Sequence, residues 1–230
     1  MKMMLGRSAK IAIALIVLVV LCGAVTAQEN TPEGCYKKCH ELCNSKSWVE
    51  AVKAYNNAIE LDPQYSDAWS AKGLAKAALG MLKGSAELSS KALDATDRAI
   101  KMASTPQDQS YAWTQKGIAL LGQNRYEEAV SAYDNAISAD PKNLMALDTK
   151  GIILTRDLGR HSESINSFNK ALQIYPNDVS ALSFKGDALR GLGGYSEALR
   201  CYNRAIEIDS KVGRAWFGKG PCFKGAWPKL

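Results

Sequence analysis

The pentapeptide Trp113-Thr114-Gln115-Lys116-Gly117 has two close copies in the chain, Trp69-Ser70-Ala71-Lys72-Gly73 and Trp216-Phe217-Gly218-Lys219-Gly220. Between Gly117 and Gly220, further Lys-Gly pairs end at Gly151 and Gly186. These four glycines are therefore 34, 35 and 34 residues apart. Self-similarity at this period predicts an array of repeated units, each a pair of helices. Because no unit of such an array buries its apolar face alone, stability comes from stacking.

A second pattern recurs in the other half of the units, with a small residue, an aromatic residue, a small residue and then a proline. Its members are Ala51, Tyr55, Ala58 and Pro63; Ala129, Tyr133, Ala136 and Pro141; Ser164, Phe168, Ala171 and Pro176; and Ala198, Tyr202, Ala205 and Ser210. Together the two patterns closely resemble the tetratricopeptide repeat family over residues 35–220. Lys stands before each Gly where the family usually has Leu, and Ser210 replaces the last Pro.

This resemblance implies an all-α fold, a right-handed solenoid of about five stacked antiparallel helix hairpins and a partial sixth. Helical apolar spacing places the helices. The five predicted hairpins pair 35–44 with 48–61, 67–79 with 87–103, 111–121 with 126–138, 145–157 with 162–174, and 180–192 with 195–208.

The second repeat is enlarged around residues 80–109. Gly73 and Gly117 are 44 residues apart, ten more than the usual period. We expect two lengthened helices here; the alternative is an excursion that binds a partner, since insertions in such arrays emerge on one face.

Residues 1–27 have the pattern of a secretory signal peptide. A basic start with Lys2, Arg7 and Lys10 precedes an apolar run, which ends at the small residues Val25-Thr26-Ala27. The alternative is an uncleaved membrane anchor, although the segment is at the short limit for a span. Residues 28–34 form a polar linker. The sequence therefore predicts an extracytoplasmic protein, either secreted or anchored to the outer face of the membrane.

Composition argues against nucleic-acid binding and against catalysis. Without residues 1–27, 26 basic residues stand against 23 acidic ones, and no dense basic run occurs. The two histidines, His40 and His161, lie in different repeats, and there is no metalloprotease motif, P-loop or nucleophile elbow. We predict a protein that is not an enzyme and needs no cofactor.

Three cysteines, Cys35, Cys39 and Cys43, recur at a spacing of four and would follow one side of a helix. Core packing is the leading interpretation, since Cys35 and Cys39 occupy core columns of the repeat. The alternatives are a disulfide or, with His40, a metal site. Cys201 and Cys222 bring the count after residue 27 to five, and an odd count outside the cytosol suggests an unpaired or intermolecular thiol.

The family resemblance implies that the first helix of each pair lines a concave groove that takes an extended peptide or a partner helix. Its apolar centre is expected at Leu74, Ile118 and Ile152, and its ends are polar. The candidate groove residues are Tyr36, His40, Leu74, Tyr111, Thr114, Ile118, Met145, Asp148, Ile152, Asp187 and Arg190, with Ser70, Leu121, Ser183 and Arg214 in the same register. The family's carboxylate-binding variant is not expected, because Ser, Thr, Leu and Ile occupy most of those positions.

The recurrent lysine lies on the opposite side of the helix from these groove positions. We expect its stem to cover the adjoining helix, with the ammonium in solvent or paired locally. At the C-terminus, Arg214–Gly220 begins a sixth unit that Pro221 is expected to interrupt. Residues 221–230 then form an atypical apolar tail.

The function expected from the sequence is a non-enzymatic scaffold that binds a peptide or helix of a partner protein in the groove. Two alternatives remain open. One is self-association through the C-terminal edge to form a surface assembly, and the other is a thiol or metal role of the cysteine helix.

Overall fold

The computed structural model of the chain describes residues 47–83 and 86–225. The predictions made for the signal peptide, the linker and the first helix of the first hairpin lie outside the described residues. Tyr36, His40, Cys35, Cys39 and Cys43 are among them. Within the described ranges the regular structure is entirely helical, as the repeat pattern predicts.

Ten helices follow one another in the described part of the chain. They are α1 (Trp48–Leu61), α2 (Ser66–Lys83), α3 (Ala86–Met102), α4 (Pro106–Leu121), α5 (Tyr126–Ala139), α6 (Leu144–Arg156), α7 (His161–Ile174), α8 (Val179–Gly191), α9 (Tyr195–Ile208) and α10 (Gly213–Gly225). The pairs α2–α3, α4–α5, α6–α7 and α8–α9 pack as hairpins, and α1 packs on α2. Among these helices, none combines the length and apolarity needed to cross a bilayer.

The enlargement of the second repeat is taken up by longer helices. Helix α2 has 18 residues and α3 has 17, whereas α5 to α9 have 13 or 14 each. Helix α4 also begins earlier than predicted, at Pro106 instead of Tyr111. Thr105 and Asp108 form a capping box there, with each side chain accepting from the other's backbone N–H, and Pro106 occupies the first turn.

In three of the four described hairpins, a glycine of the first helix packs against an aromatic ring of the second: Gly117 on Tyr133, Gly151 on Phe168 and Gly186 on Tyr202. In the α2–α3 hairpin, Gly73 packs on Thr96 instead. Gly117 on α4 lies so close to Tyr133 on α5 that an added Cβ would be 2.7 Å from the ring. Gly151 and Phe168 repeat this contact in the next hairpin at the same distance. The rings of Tyr133 and Phe168 are completely buried. The column of small residues and the column of aromatic residues therefore pack against each other. We call this contact the interlocked seam.

Residues at the connections adopt the conformations that end helices. Asn124 and Gly193 have φ of 58° and 80° in the short turns after α4 and α8. Asp62 and Asp140 are extended at the ends of α1 and α5, each directly before a proline, as expected from the restriction that proline places on the preceding residue.

The prediction that Pro221 interrupts the sixth unit is wrong. Helix α10 continues through Pro221 to Gly225. The proline costs one backbone hydrogen bond, but the next residue, Cys222, is fully buried against Tyr202 and Ala215. Packing of this turn onto the last hairpin holds the helix together past the proline.

Candidate partner-binding groove

The first helices of the repeats, α2, α4, α6, α8 and α10, provide the surface on which groove residues were predicted. Helix α2 packs on α4, α6 on α8, and α8 on α10. Helices α4 and α6 are joined by Asn143, whose Nδ2 donates to Ser110 Oγ at 2.8 Å and to Thr114 Oγ1 at 2.9 Å. We call the surface formed by these first helices the groove.

An apolar column runs along the groove through Leu74 on α2, Ile118 on α4 and Ile152 on α6. All three side chains are partly exposed. Ile118 and Ile152 also pack against buried residues of the core, so the column extends from the core to the surface. Met145, at the start of α6, is 57% exposed and extends the apolar area.

Several predicted groove positions are buried in the wall. Thr114 is 2% exposed, and its hydroxyl donates to the carbonyl of Ser110 at 2.8 Å. Ser70 and Ser183, in the same register, are 1% exposed. These small polar residues support the groove from within instead of presenting side chains to a partner. Tyr111 and Leu121 remain partly exposed.

Asp148 lies in the middle of the groove beside a second acid. Burial, and then the neighbouring Asp178, raise the pKa of its carboxyl to about 7. Asp178 is fixed in place because it caps α8, accepting from the N–H of Ala181 at 2.9 Å. Oδ1 of Asp148 is buried and has no hydrogen-bond partner among the described residues. This carboxyl is therefore able to hold a proton near neutral pH.

The C-terminal half of the groove contains a pocket of about 350 Å³ between α6, α8 and α10, with the first residue of α7 at its border. Asp187 is its central acid: Oδ2 accepts from Arg214 at 2.8 Å, and Arg190 lies 3.7 Å from Oδ1. The Arg214 guanidinium also lies 4.0 Å from the ring centroid of Phe184. Arg156 and His161 complete the polar lining.

Sequence reasoning placed Asp187, Arg190 and Arg214 in the groove, and the structure brings all three together. Phe184, Arg156 and His161 also line this pocket, but they were not predicted from the sequence. Arg156 lies one helical turn after Ile152, so the same register could have identified it. Phe184 and His161 belong to other columns, and only the packing of four helices, α6, α7, α8 and α10, reveals them.

Two members of the lysine column are paired locally, as predicted. Lys116 on α4 pairs with Asp97 on α3 at 2.7 Å, and Lys150 on α6 pairs with Asp134 on α5. Both lysines belong to local ion pairs away from the groove.

Two cysteines lie in the described part of the chain. Cys222 donates to the carbonyl of Gly218 at 3.3 Å, and burial raises the pKa of both Cys201 and Cys222.

Two family models match the chain over these same repeats. A model described as tetratricopeptide repeat matches residues 114–179 and 185–223, and one described as TPR repeat matches residues 40–80. Together they cover more than half of the chain. It belongs to the tetratricopeptide repeat family. As a tetratricopeptide repeat protein, the chain is a scaffold of the kind that supports interactions between proteins.

Solved tetratricopeptide repeat structures share the fold over most of the chain. The pilF protein of Pseudomonas aeruginosa has a TM-score of 0.69 at 18% identity, covering 86% of this chain and 85% of that one. YrrB, described as a TPR protein with an unusual peptide-binding site, has a TM-score of 0.60 at 18% identity, covering 86% of this chain and 96% of its own.

A curated relative is similar over a shorter stretch. It is the small glutamine-rich tetratricopeptide repeat-containing protein 2 of Mycosarcoma maydis, 29% identical over 106 residues, which is 45% of this chain. The match spans about a quarter of the relative, 27% of its length. The similarity therefore concerns the repeat array and not the whole of that protein.

Proposed function

We propose that this tetratricopeptide repeat protein is a non-enzymatic adaptor that holds a peptide or a helix of a partner protein in its groove, outside the cytoplasm. The observation that carries the proposal is the column of Leu74, Ile118 and Ile152, which is apolar and partly exposed on three successive first helices. Burying such a column against apolar side chains of a partner would drive binding.

Polar groups at and beyond the end of this column would set the register of the partner. Asp148 lies on α6, the last helix of the apolar column, and the pocket around Asp187 lies further along the groove. Three arginines, Arg156, Arg190 and Arg214, border that pocket, whereas Asp187 is the acid that lines it among the described residues. An acidic side chain of the partner would suit this end, because arginine binds carboxylates with two donors in a fixed geometry.

The extracytoplasmic location rests on the pattern of residues 1–27, with its basic start, apolar run and small-residue end. The likeness to YrrB supports peptide binding in general, since that protein is described as having an unusual peptide-binding site.

A pull-down with matched baits tests the groove. The purified protein is compared with Leu74→Asp/Ile118→Asp/Ile152→Asp and with a control, Asn135→Asp/Asn169→Asp/Asn203→Asp, which adds the same charge at exposed positions of α5, α7 and α9. All baits are checked by circular dichroism. The extract comes from the outer face of the source cells.

A protein retained by the wild type and the control but lost from the groove variant supports the proposal. Capture of the same proteins by all three baits, or of none by any, contradicts it.

A second candidate, self-association through the C-terminal edge, is favoured by the exposure of two aromatic residues. Phe217 is 82% exposed and Trp216 is 51% exposed on α10. Solenoids that met through this face would bury both rings. Sedimentation equilibrium tests it: a mass that rises with concentration for the wild type but not for Phe217→Glu supports assembly. A monomer at all concentrations removes this candidate.

A further inference from the structure

The enlarged second hairpin carries a pocket that is separate from the groove. Its volume is about 260 Å³, and it lies between α2 and α3. The lining includes Trp69, four cationic side chains and one acid: Lys72, Lys76, Lys91, Arg98 and Asp94. We call this the basic pocket. None of these residues belongs to the apolar column or to the pocket around Asp187.

Two cations share the ring of Trp69. Lys72 Nζ lies 4.5 Å and Arg98 Cζ 4.9 Å from the ring centroid. The Trp69 indole is itself held by donating from Nε1 to the carbonyl of Pro63 at 3.0 Å. The ring therefore fixes two positive charges at the same place.

The positive charge of the basic pocket is only partly balanced. Lys91 pairs with Glu87, which leaves Asp94 as the acid facing the other three cations within the described lining. Burial, and then repulsion from Lys76 and Arg98, lower the pKa of Lys72 to about 8, while Glu60 on α1 opposes this. The pKa of Lys76 is also lowered, by burial and by repulsion from Lys91 and Arg98, while Asp94 opposes this shift.

Comparison between repeats shows how Lys72 differs from Lys116 and Lys150. Lys116 pairs with Asp97, and Lys150 pairs with Asp134. Each aspartate lies directly after the aromatic-column position of the second helix that precedes the lysine. On α1 the residue in that register, directly after Tyr55, is Asn56. An amide stands where those two repeats supply a carboxylate, as it also does at Asn169 and Asn203, so this register does not provide an anion for Lys72.

We propose that the basic pocket binds a tetrahedral oxyanion, a phosphate or sulfate group of a small ligand, through Lys72, Lys76 and Arg98. A phosphate group brings about two negative charges near neutral pH and strong acceptor oxygens. Lysine and arginine side chains supply donors for those oxygens. The anion would replace the missing carboxylate and relieve the repulsion among the cations. The ligand is independent of any protein partner in the groove.

Binding should be coupled to proton uptake by the protein. An anion beside Lys72 and Lys76 favours their charged forms and raises both pKa values. Lys72 is partly deprotonated in the free protein at pH 8, so complex formation at this pH takes up protons. At pH 6 the lysines are already charged, and uptake by them should vanish.

Isothermal titration calorimetry of the purified protein at low ionic strength tests the proposal. The titrants are inorganic phosphate, sulfate and, as an anion of other shape, chloride. The pocket variant is Lys72→Gln/Lys76→Gln. Its control is Lys53→Gln/Lys101→Gln, which removes the same charge from exposed positions of α1 and α3 outside the pocket. Titrations at pH 8 in two buffers of different ionisation enthalpy measure the protons taken up.

We expect phosphate or sulfate to bind the wild type and the control at least tenfold more tightly than the pocket variant. Chloride should not compete at equal concentration. Preference for phosphate over sulfate would identify phosphate-bearing ligands as the source, and the reverse would identify sulfated ones. Equal weakening of both variants, or no binding of either oxyanion to the wild type, would overturn the proposal.

A second variant guards against misfolding of the first. Arg98 is exposed, so Arg98→Gln leaves the core of the hairpin intact and should also weaken oxyanion binding by about tenfold, roughly 1.4 kcal/mol. Unchanged affinity in a folded Arg98→Gln protein would contradict the assignment. The groove pull-down is read independently, so failure of one result does not imply failure of the other.

Discussion

The hydroxyl of Tyr202 donates a hydrogen bond of 2.7 Å to Oδ1 of Asp187. The bond links α9 to the groove face of α8, and it leaves Oδ2 of Asp187 to accept from Arg214 at 2.8 Å. Burial and the adjacent carboxylate raise the pKa of Tyr202 well above its ordinary value. A residue of the interlocked seam thus also orients the central acid of the arginine-bordered pocket.

Replacing Tyr202 by Phe should destabilise the protein by about 1–2 kcal/mol, because the bond to a charged group is lost in a partly buried site. Tyr126→Phe is the control, since its hydroxyl donates at 2.9 Å to Asn124 at an exposed position. Urea unfolding measures both. A loss for Tyr202→Phe no greater than that for Tyr126→Phe would show that Asp187 is held by other contacts.

Gly117→Ala should destabilise the protein by about 1–3 kcal/mol, as expected for overpacking. The new Cβ would lie 2.7 Å from the Tyr133 ring, which is completely buried and has no room to move away. Gly213→Ala is the matched control: it lies in the first turn of α10, and nothing lies within 4 Å of an added Cβ. The control should be neutral or slightly stabilising. Thermal unfolding of both variants distinguishes close packing from helix propensity.

Asn143→Asp should destabilise the protein by about 1–3 kcal/mol, although aspartate is an equally good helix cap. Asn143 Oδ1 accepts from the N–H of Ala146 at 3.0 Å, a role that aspartate keeps. Its Nδ2 donates to Ser110 and Thr114, and those two hydroxyls already donate to backbone carbonyls. A carboxylate would therefore face two acceptors. Urea unfolding of Asn143→Asp measures the effect, and an unchanged midpoint would show that the cap alone matters.

Stability should fall as pH rises from about 4 to 7 because of Asp148. The folded protein keeps the carboxyl protonated up to a pKa of about 7, whereas the unfolded chain releases the proton near 3.8. Above pH 7 the penalty is complete and no longer changes. Asp148→Asn removes it and should stabilise the protein at pH 8 by about 1–2 kcal/mol, allowing for partial exposure, and hardly at pH 4.

Chemical denaturation at pH 4, 6 and 8 tests this prediction. The control is Glu60→Gln, an exposed acid on α1. If the gain from Asp148→Asn were the same at all three pH values, the ionisation of Asp148 would not be its cause.

The sequence predicts the fold because the features that build it are periodic. Gly117 and Tyr133 recur with their columns, and so their contact recurs as well. The start of α4 was missed because the capping box of Thr105 and Asp108 lies in the enlarged segment, outside the repeat pattern. Pro221 was misread because proline's local cost is visible in the sequence, whereas the burial of Cys222 beside it is not.

The site was only partly predictable for a related reason. Helical register correctly separates the groove side from the lysine side, and it brings Asp187, Arg190 and Arg214 together. Register does not report depth, so Thr114 was expected at the surface although it is buried. The basic pocket also could not be read from the pattern, because it depends on the packing of α2 against α3 in the enlarged repeat.

Arg214 reaches Asp187 from the next repeat along the array, and Arg156 borders the same pocket from the repeat before. Inserting or deleting one unit at this point could preserve every hairpin contact and still exchange the side chains that meet there. Recognition at this end of the molecule is consequently encoded in the order of the repeats. Duplication or loss of a unit, rather than substitution within one, offers the shortest route to a different partner.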